Sequence, residues 1–196
     1  MNLIIDAGNT RIKAAIFNGL ELIHNEVFKV DNFVQGCVKL INHFNCKQAI
    51  ISSVGAIKKS EIAIIKEHIQ LIELNSLTKI PFKNEYSTPN TLGVDRIGLV
   101  AAAVSMYPSK NVLIIDSGTC ITYDFVDDKS HYYGGAISPG IQIRYKSLPE
   151  FTEKLPLLQP NFDVSLIGNS TENCIHSGII NGVLGEMDSI IERYKK

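Results

Sequence analysis

Aspartates 6 and 116 stand in the same local sequence, LIIDAG at residues 3–8 and LIIDSG at residues 113–118, 110 positions apart. An apolar run that ends in Asp-x-Gly and turns back places a carboxylate at a strand tip, beside backbone N–H groups that the glycine turn exposes. Such N–H groups cradle phosphate oxygens, and the carboxylate can hold Mg²⁺ directly or through its waters. On this reading Asp6, Gly8, Asn9, Thr10 and Lys13 form one phosphate grip and Asp116, Gly118 and Thr119 the other, with a nucleotide bracketed between them. Either turn alone reads better as a β-hairpin in which Asp and Gly serve turn chemistry only. Repetition at matching places favours the phosphate grip.

The elements that must position these residues flank them. Residues 2–28 read as three strands, LIID, RIKAAIF and ELIHNEVF, the last two joined by an Asn18-Gly19 turn. A helix is expected over Asp31 to Asn45, where Phe33, Val34, Cys37, Val38, Ile41 and Phe44 recur at helical spacing. QAIISSV (48–54) has the continuous apolar character of a buried parallel strand, and SEIAIIKEHI continues as a helix with Ser60 as a cap. This order outlines a ribonuclease-H-like unit. It restarts with VLIID, TCITYDFV, an Asp127-Asp128 turn and HYYGGAIS, and a helix opens after Pro139-Gly140. Between the halves, GVDRIGLVAAAVSMY places Ile97, Val100, Ala101 and Val104 on one helical face. The expected fold is α/β, with two duplicated ribonuclease-H-like units, residues 1–110 and 111–196, facing each other across a nucleotide cleft; the repeat is too long for a solenoid.

Composition excludes several function classes. A chain of 196 residues that is 45% hydrophobic can bury a substantial core, and a net charge of -1 offers no basic surface to nucleic acid or an anionic membrane. Small-molecule partners are expected. Cys37, Cys46, Cys120 and Cys174 form no CxxC pair, which argues against a zinc site, a redox motif or a disulfide framework. The apolar run before Asp6 is too short for a signal peptide and no segment approaches a membrane span, so a cytoplasmic protein is expected. His24, His43, His68, His131 and His176 fit no triad or metal-ligand spacing, and Asp124, Asp127 and Asp128 read as hairpin solvation.

With DAGNTRIK (6–13), GVDR (93–96), DSGT (116–119), GGAISPG (134–140) and GNST (168–171) in this order, the chain closely resembles the type III pantothenate kinases, within the superfamily of sugar kinases and actin-like ATPases. DxGNTxxK joined to GxDR is the most specific part, and the resemblance covers essentially the whole chain. It implies an actin-like ATPase fold and transfer of the γ-phosphoryl group of ATP to pantothenate, giving 4′-phosphopantothenate in the first step of coenzyme A biosynthesis. It further implies Mg²⁺, a monovalent cation (K⁺ or NH₄⁺) and a homodimer. Phosphoryl transfer needs chiefly positioning and charge neutralisation, and each motif can be read that way.

Carried over residue by residue, the resemblance makes Asp6, Ala7, Gly8, Asn9, Thr10, Arg11, Ile12, Lys13 and Thr119 the ATP contacts and Asp116 the cation ligand. Asp95 becomes the catalytic base. Tyr86, Gly93, Val94, Asp95 and Arg96 contact pantothenate, joined by Thr171 from the neighbouring subunit. Each residue also has a plainer reading. Asp95 can complement a helix dipole; Arg96, whose guanidinium suits the carboxylate of pantothenate, can form a surface ion pair with Glu85 or another acid; Tyr86 can be a packing residue; and Gly93 can simply start a helix. Lys13 can face solvent, and Thr171 can cap the last helix in competition with Ser170. A carboxylate–carbonyl site at Asp116 does not by itself separate K⁺ from Mg²⁺.

The family ordinarily continues beyond the equivalent of IIERYKK with a strand, a Gly-Gly turn near the nucleotide and a closing helix, so the second unit is expected to be shortened at its C-terminus. The rival functions are a superfamily kinase with another substrate, against which GVDR and Tyr86 count, and a catalytically idle regulatory protein of the same fold. A ribonuclease-H-type nuclease would want several carboxylates around two metals and a basic groove.

Overall fold

Leu3, Ile5 and Ala7 alternate with Asn2, Ile4 and Asp6 along β1 (Asn2–Ala7), and in the computed structural model the first set is buried while Asp6 stands on the opposite face. The structure describes residues 1–8, 11–53 and 57–196; Asn9, Thr10 and residues 54–56 lie outside the described set. The chain divides into two compact units, Met1–Met106 and Tyr107–Lys196.

In the first unit β1 pairs antiparallel with β2 (Ile12–Asn18), and β2 pairs antiparallel with β3 (Glu21–Phe28). The two-residue loop between β2 and β3 is Gly19-Leu20, one position later than expected, because the loop's first residue takes a positive φ, +62°, which glycine adopts without steric cost. Helix α1 (Phe33–Phe44) buries Phe33, Cys37, Leu40 and Ile41 and ends at Asn45 in the left-handed conformation, φ 48°. Next, β4 (Gln48–Ser53) runs parallel to β1 as expected, α2 (Lys59–His68) returns, and β5 (Gln70–Glu73) pairs parallel with β4. Ser60 does not cap α2: it lies inside the first turn, and the cap residue is Lys58, whose N–H donates to Glu61 Oε2 at 2.8 Å. The sheet order is β3-β2-β1-β4-β5.

One face of this sheet meets α1 and α2 in a core of Leu3, Ile5, Ile12, Ile16, Phe33 and Ile65 with their neighbours. Each such side chain contributes about 1.5–3 kcal/mol on burial. After β6 (Lys83–Asn84), helix α3 (Val94–Met106) packs against β4, burying Arg96, Ile97, Val100 and Ala103.

The second unit repeats the opening. Strands β7 (Val112–Ser117), β8 (Cys120–Val126) and β9 (His131–Pro139) form consecutive antiparallel pairs. Asp127 organises the β8–β9 loop by accepting the N–H groups of Lys129 at 3.0 Å and His131 at 2.7 Å. Asp124 is not a loop-solvation residue. It is fully buried on β8 and accepts the Tyr132 hydroxyl at 2.6 Å. Helix α4 (Ile141–Phe151) follows Gly140, and α5 (Thr171–Tyr194) closes the unit, its Val183, Met187 and Ile190 packing with Leu113, Ile115, Ile121 and Tyr123. Among the described residues no helix is long and apolar enough to cross a membrane.

Candidate active site

The β1–β2 register sets Asp6 opposite Lys13, and Lys13 Nζ lies 3.8 Å from the Asp6 carboxylate. On the other flank, the parallel register sets Ser52 of β4 opposite Asp6. Partners in register share a sheet face, so lysine, aspartate and serine form a row across three strands. Lys13 faces solvent, as its alternation along β2 allows, with its charge near the repeated aspartate. Ala7 and Ile12 close the hairpin and are almost fully buried, so only their backbone can meet a nucleotide. Arg11 is exposed beside them, and Asn9 and Thr10 lie outside the described residues.

At the second turn the register partner of Asp116 is Thr122 of β8. A hydroxyl thus holds the cross-strand place that Lys13 holds in the first unit. Ser52 Oγ and Thr122 Oγ1 are buried oxygens without a hydrogen-bond partner among the described residues. Each stands next to one of the two repeated aspartates. The Gly118 N–H closes the turn onto the Cys120 carbonyl at 2.9 Å, and the Gly140 N–H donates to the Thr119 carbonyl at 3.1 Å. A Cβ on Gly140 would lie 2.3 Å from the Gly118 carbonyl oxygen and 2.4 Å from that of Thr119, so only glycine fits against this turn.

The GVDR segment forms the start of α3. Asp95 is exposed, and its Oδ1 accepts the Arg96 backbone N–H at 2.9 Å. A Cβ on Gly93 would stand 2.4 Å from that same oxygen, so Gly93 leaves room for the carboxylate. Arg96 is only 6% exposed, and its Cζ lies 5.6 Å from the centroid of the Tyr86 ring. Glu85 makes an ion pair with Lys83. The structure therefore brings Tyr86, Gly93, Val94, Asp95 and Arg96 to one end of α3.

Thr171 is the first residue of α5, and the helix is capped by Ser170, whose Oγ accepts the Asn173 N–H at 3.2 Å. With Arg144, Ser147, Leu148 and Ile175, Thr171 lines a cavity of about 620 Å³ between α4 and α5. Sequence reasoning missed the polar cluster beside this cavity. Glu186 accepts from the Tyr123 hydroxyl at 2.8 Å, from Ser138 Oγ at 3.1 Å and from Arg144 Nη2. Its signal was available: Glu186 is a lone acid at helical spacing from Val183 and Ile190 on the sheet-facing side of α5. Among the cysteines, Cys37 is no nucleophile, because burial, aided by Glu26, pushes its thiol up to about 12.

The strand-turn with Asp-x-Gly is repeated in two α/β units, the outline expected for the actin-like ATPase fold. A crystal structure of a Campylobacter jejuni protein described as a Baf family transcriptional activator is similar to the chain, with a TM-score of 0.63 at 23% identity over 95% of this chain and 78% of that one, a likeness of fold. The family model described as type III pantothenate kinase matches residues 2–193. The chain is 49% identical over 195 residues to the type III pantothenate kinase of Christiangramia forsetii, covering 99% of this chain and 80% of that protein. It is 42% identical over 196 residues to that of Flavobacterium johnsoniae, covering 100% and 80%. The chain belongs to the type III pantothenate kinase family.

Proposed function

We propose that this chain transfers the γ-phosphoryl group of ATP to the primary hydroxyl of pantothenate, giving 4′-phosphopantothenate and ADP, the first step of coenzyme A biosynthesis. The observation that carries the reading is the start of α3, where the exposed Asp95 carboxylate stands beside an anchored Tyr86–Arg96 pair in a chain that matches the family along its length.

Asp95 is the catalytic base in this account. Its Oδ1 is fixed by the Arg96 N–H, and its second oxygen takes the hydroxyl proton of pantothenate as the new O–P bond forms and ADP leaves. Arg96, held over Tyr86, presents the edge of its guanidinium to the pantothenate carboxylate; a side chain already immobilised loses little freedom on binding. The turn from Asp6 to Lys13 grips the ATP phosphates, and Thr119 contacts ATP from the second turn.

The donor sets fit hard cations. Among the described residues no cluster of three or more His, Cys, Asp or Glu forms, and each turn instead offers one carboxylate with a neighbouring buried hydroxyl. Asp6 with Ser52 would hold Mg²⁺ or its waters, and Asp116 with Thr122 the monovalent cation, K⁺ or NH₄⁺, since oxygen ligands suit both. When bound, Mg²⁺ neutralises charge on the transferred phosphoryl group.

The enzyme works in the cytoplasm as a homodimer in which Thr171 reaches the partner's pantothenate site. Ser170 takes the capping role, which leaves Thr171 for that contact. Mixing inactive Asp95→Asn protein with an inactive Thr171→Ala protein should restore activity once native mass measurement shows mixed dimers; mixed dimers that stay inactive exclude the composite site. Calorimetry with ATP and pantothenate, separately and together, tests the substrate assignment. Heat from ATP alone and none from pantothenate in either format would reject it.

A further inference from the structure

Gly140 is seated directly on the carbonyls of Gly118 and Thr119, so the position of the second turn depends on what holds Gly140. Arg144, in the first turn of α4, bonds Gly140 and the two residues before it, Pro139 and Ser138. Its backbone N–H donates to the Gly140 carbonyl at 3.1 Å, its Nε to the Pro139 carbonyl at 2.8 Å, and its Nη2 to Ser138 Oγ at 2.8 Å. The guanidinium is in turn paired with Glu186 of α5. Glu186 also holds Ser138 on β9 and, through its other oxygen, the fully buried Tyr123 on β8, the strand that begins where the turn ends.

We propose that Glu186 and Arg144 are positioning residues for the nucleotide- and cation-binding turn, a polar relay through which α5 fixes the Asp116–Thr119 backbone. The role goes beyond holding α5 on the sheet. Apolar contacts of Val183, Met187 and Ile190 already do that, and apolar packing is non-directional. Hydrogen bonds impose distance and angle, and a side-chain shell of this kind sets the geometry of the groups that touch a ligand. Arg144 and Glu186 are 22% and 25% exposed, so removing one charge leaves the other largely out of water and without its counterpart. The inference rests on the reading of the second turn as part of the ATP and cation site.

The test is Glu186→Gln in the full chain, with Ser138→Ala as a milder variant that keeps the ion pair. Amide exchange at Gly140, whose N–H is bonded to the Thr119 carbonyl, should accelerate by about tenfold or more in Glu186→Gln, with the amide of Val183 on α5 unchanged. The dissociation constant of a non-hydrolysable Mg-ATP analogue should rise by about tenfold while that of pantothenate stays within about twofold. Ser138→Ala should move the same two readouts in the same direction, by less. Unchanged exchange at Gly140 in both variants overturns the relay. So does equal weakening of both ligands together with loss of protection at Val183, which is general destabilisation. Faster exchange at Gly140 with unchanged nucleotide and K⁺ affinity upholds the relay and removes the second turn from the nucleotide site.

Discussion

The guanidinium of Arg96 lies over the ring of Tyr86, 5.6 Å from Cζ to the ring centroid, with Arg96 almost wholly buried. A cation over an aromatic face is worth about 0.5–2 kcal/mol, depending on desolvation. Tyr86→Ala should therefore raise the KM for pantothenate by about tenfold while leaving the KM for ATP near that of wild type. Steady-state kinetics with each substrate varied in turn checks this, and equal losses for both substrates would count against the assignment.

Asp95→Asn keeps size and the hydrogen bond to the Arg96 N–H but cannot take a proton. Turnover should fall by roughly 10²–10⁴, the range for losing a general base. Pantothenate binding by calorimetry should persist. If Asp95 only complemented the dipole of α3, the substitution would cost about 0.3–1 kcal/mol of stability and leave turnover intact.

The paired turns should separate by substitution. Asp6→Asn leaves Lys13 without its carboxylate and should raise the KM for Mg-ATP, whereas Asp116→Asn and Thr122→Val should raise the K⁺ concentration needed for half-maximal rate. Potassium titrations of all three variants decide the matter. A wild-type K⁺ response in both Asp116→Asn and Thr122→Val would remove the cation site from the second turn.

Much of this arrangement was legible in the sequence, for physical reasons that also mark where legibility stops. LIID before a glycine turn gives β1 and β7, and helical spacing gives α1 and α3, because burial on one face imposes a period on the residues. Strand register leaves no such local trace. That Ser52 and Lys13 flank Asp6, and Thr122 flanks Asp116, follows from pairings between strands and not from any one strand's pattern. Asp124 reads as solvation because it neighbours a turn with two aspartates, yet Tyr132, eight residues on, reaches it from β9. Arg144 and Glu186 are 42 residues apart and meet only when α4 and α5 pack.

Acid should expose the Glu186 cluster. Burial acts to raise the Glu186 carboxyl, but hydrogen bonds from Arg144, Tyr123 and Ser138 and the Arg144 charge outweigh it and hold the group below its ordinary value of 4.5. A carboxyl whose folded value is depressed contributes stability that is fully present above its unfolded value and lost as pH falls through the folded one. Tyr123, pushed up to about 12 by burial and by Glu186, remains a donor throughout this window. Denaturant midpoints of wild type should drop as pH falls below about 5, and Glu186→Gln, less stable at neutral pH, should lose less over the same interval. Parallel losses in the two proteins would show that Glu186 does not carry the effect.

The most direct measurement is product formation by the folded protein supplied with ATP, Mg²⁺, a K⁺ salt and pantothenate, read by mass spectrometry of the reaction mixture. The account predicts 4′-phosphopantothenate and ADP in equal amounts, dependent on pantothenate and abolished or nearly so in Asp95→Asn. Folded protein that forms no phosphopantothenate above a no-enzyme control, or that forms it equally well with Asp95→Asn, would contradict it.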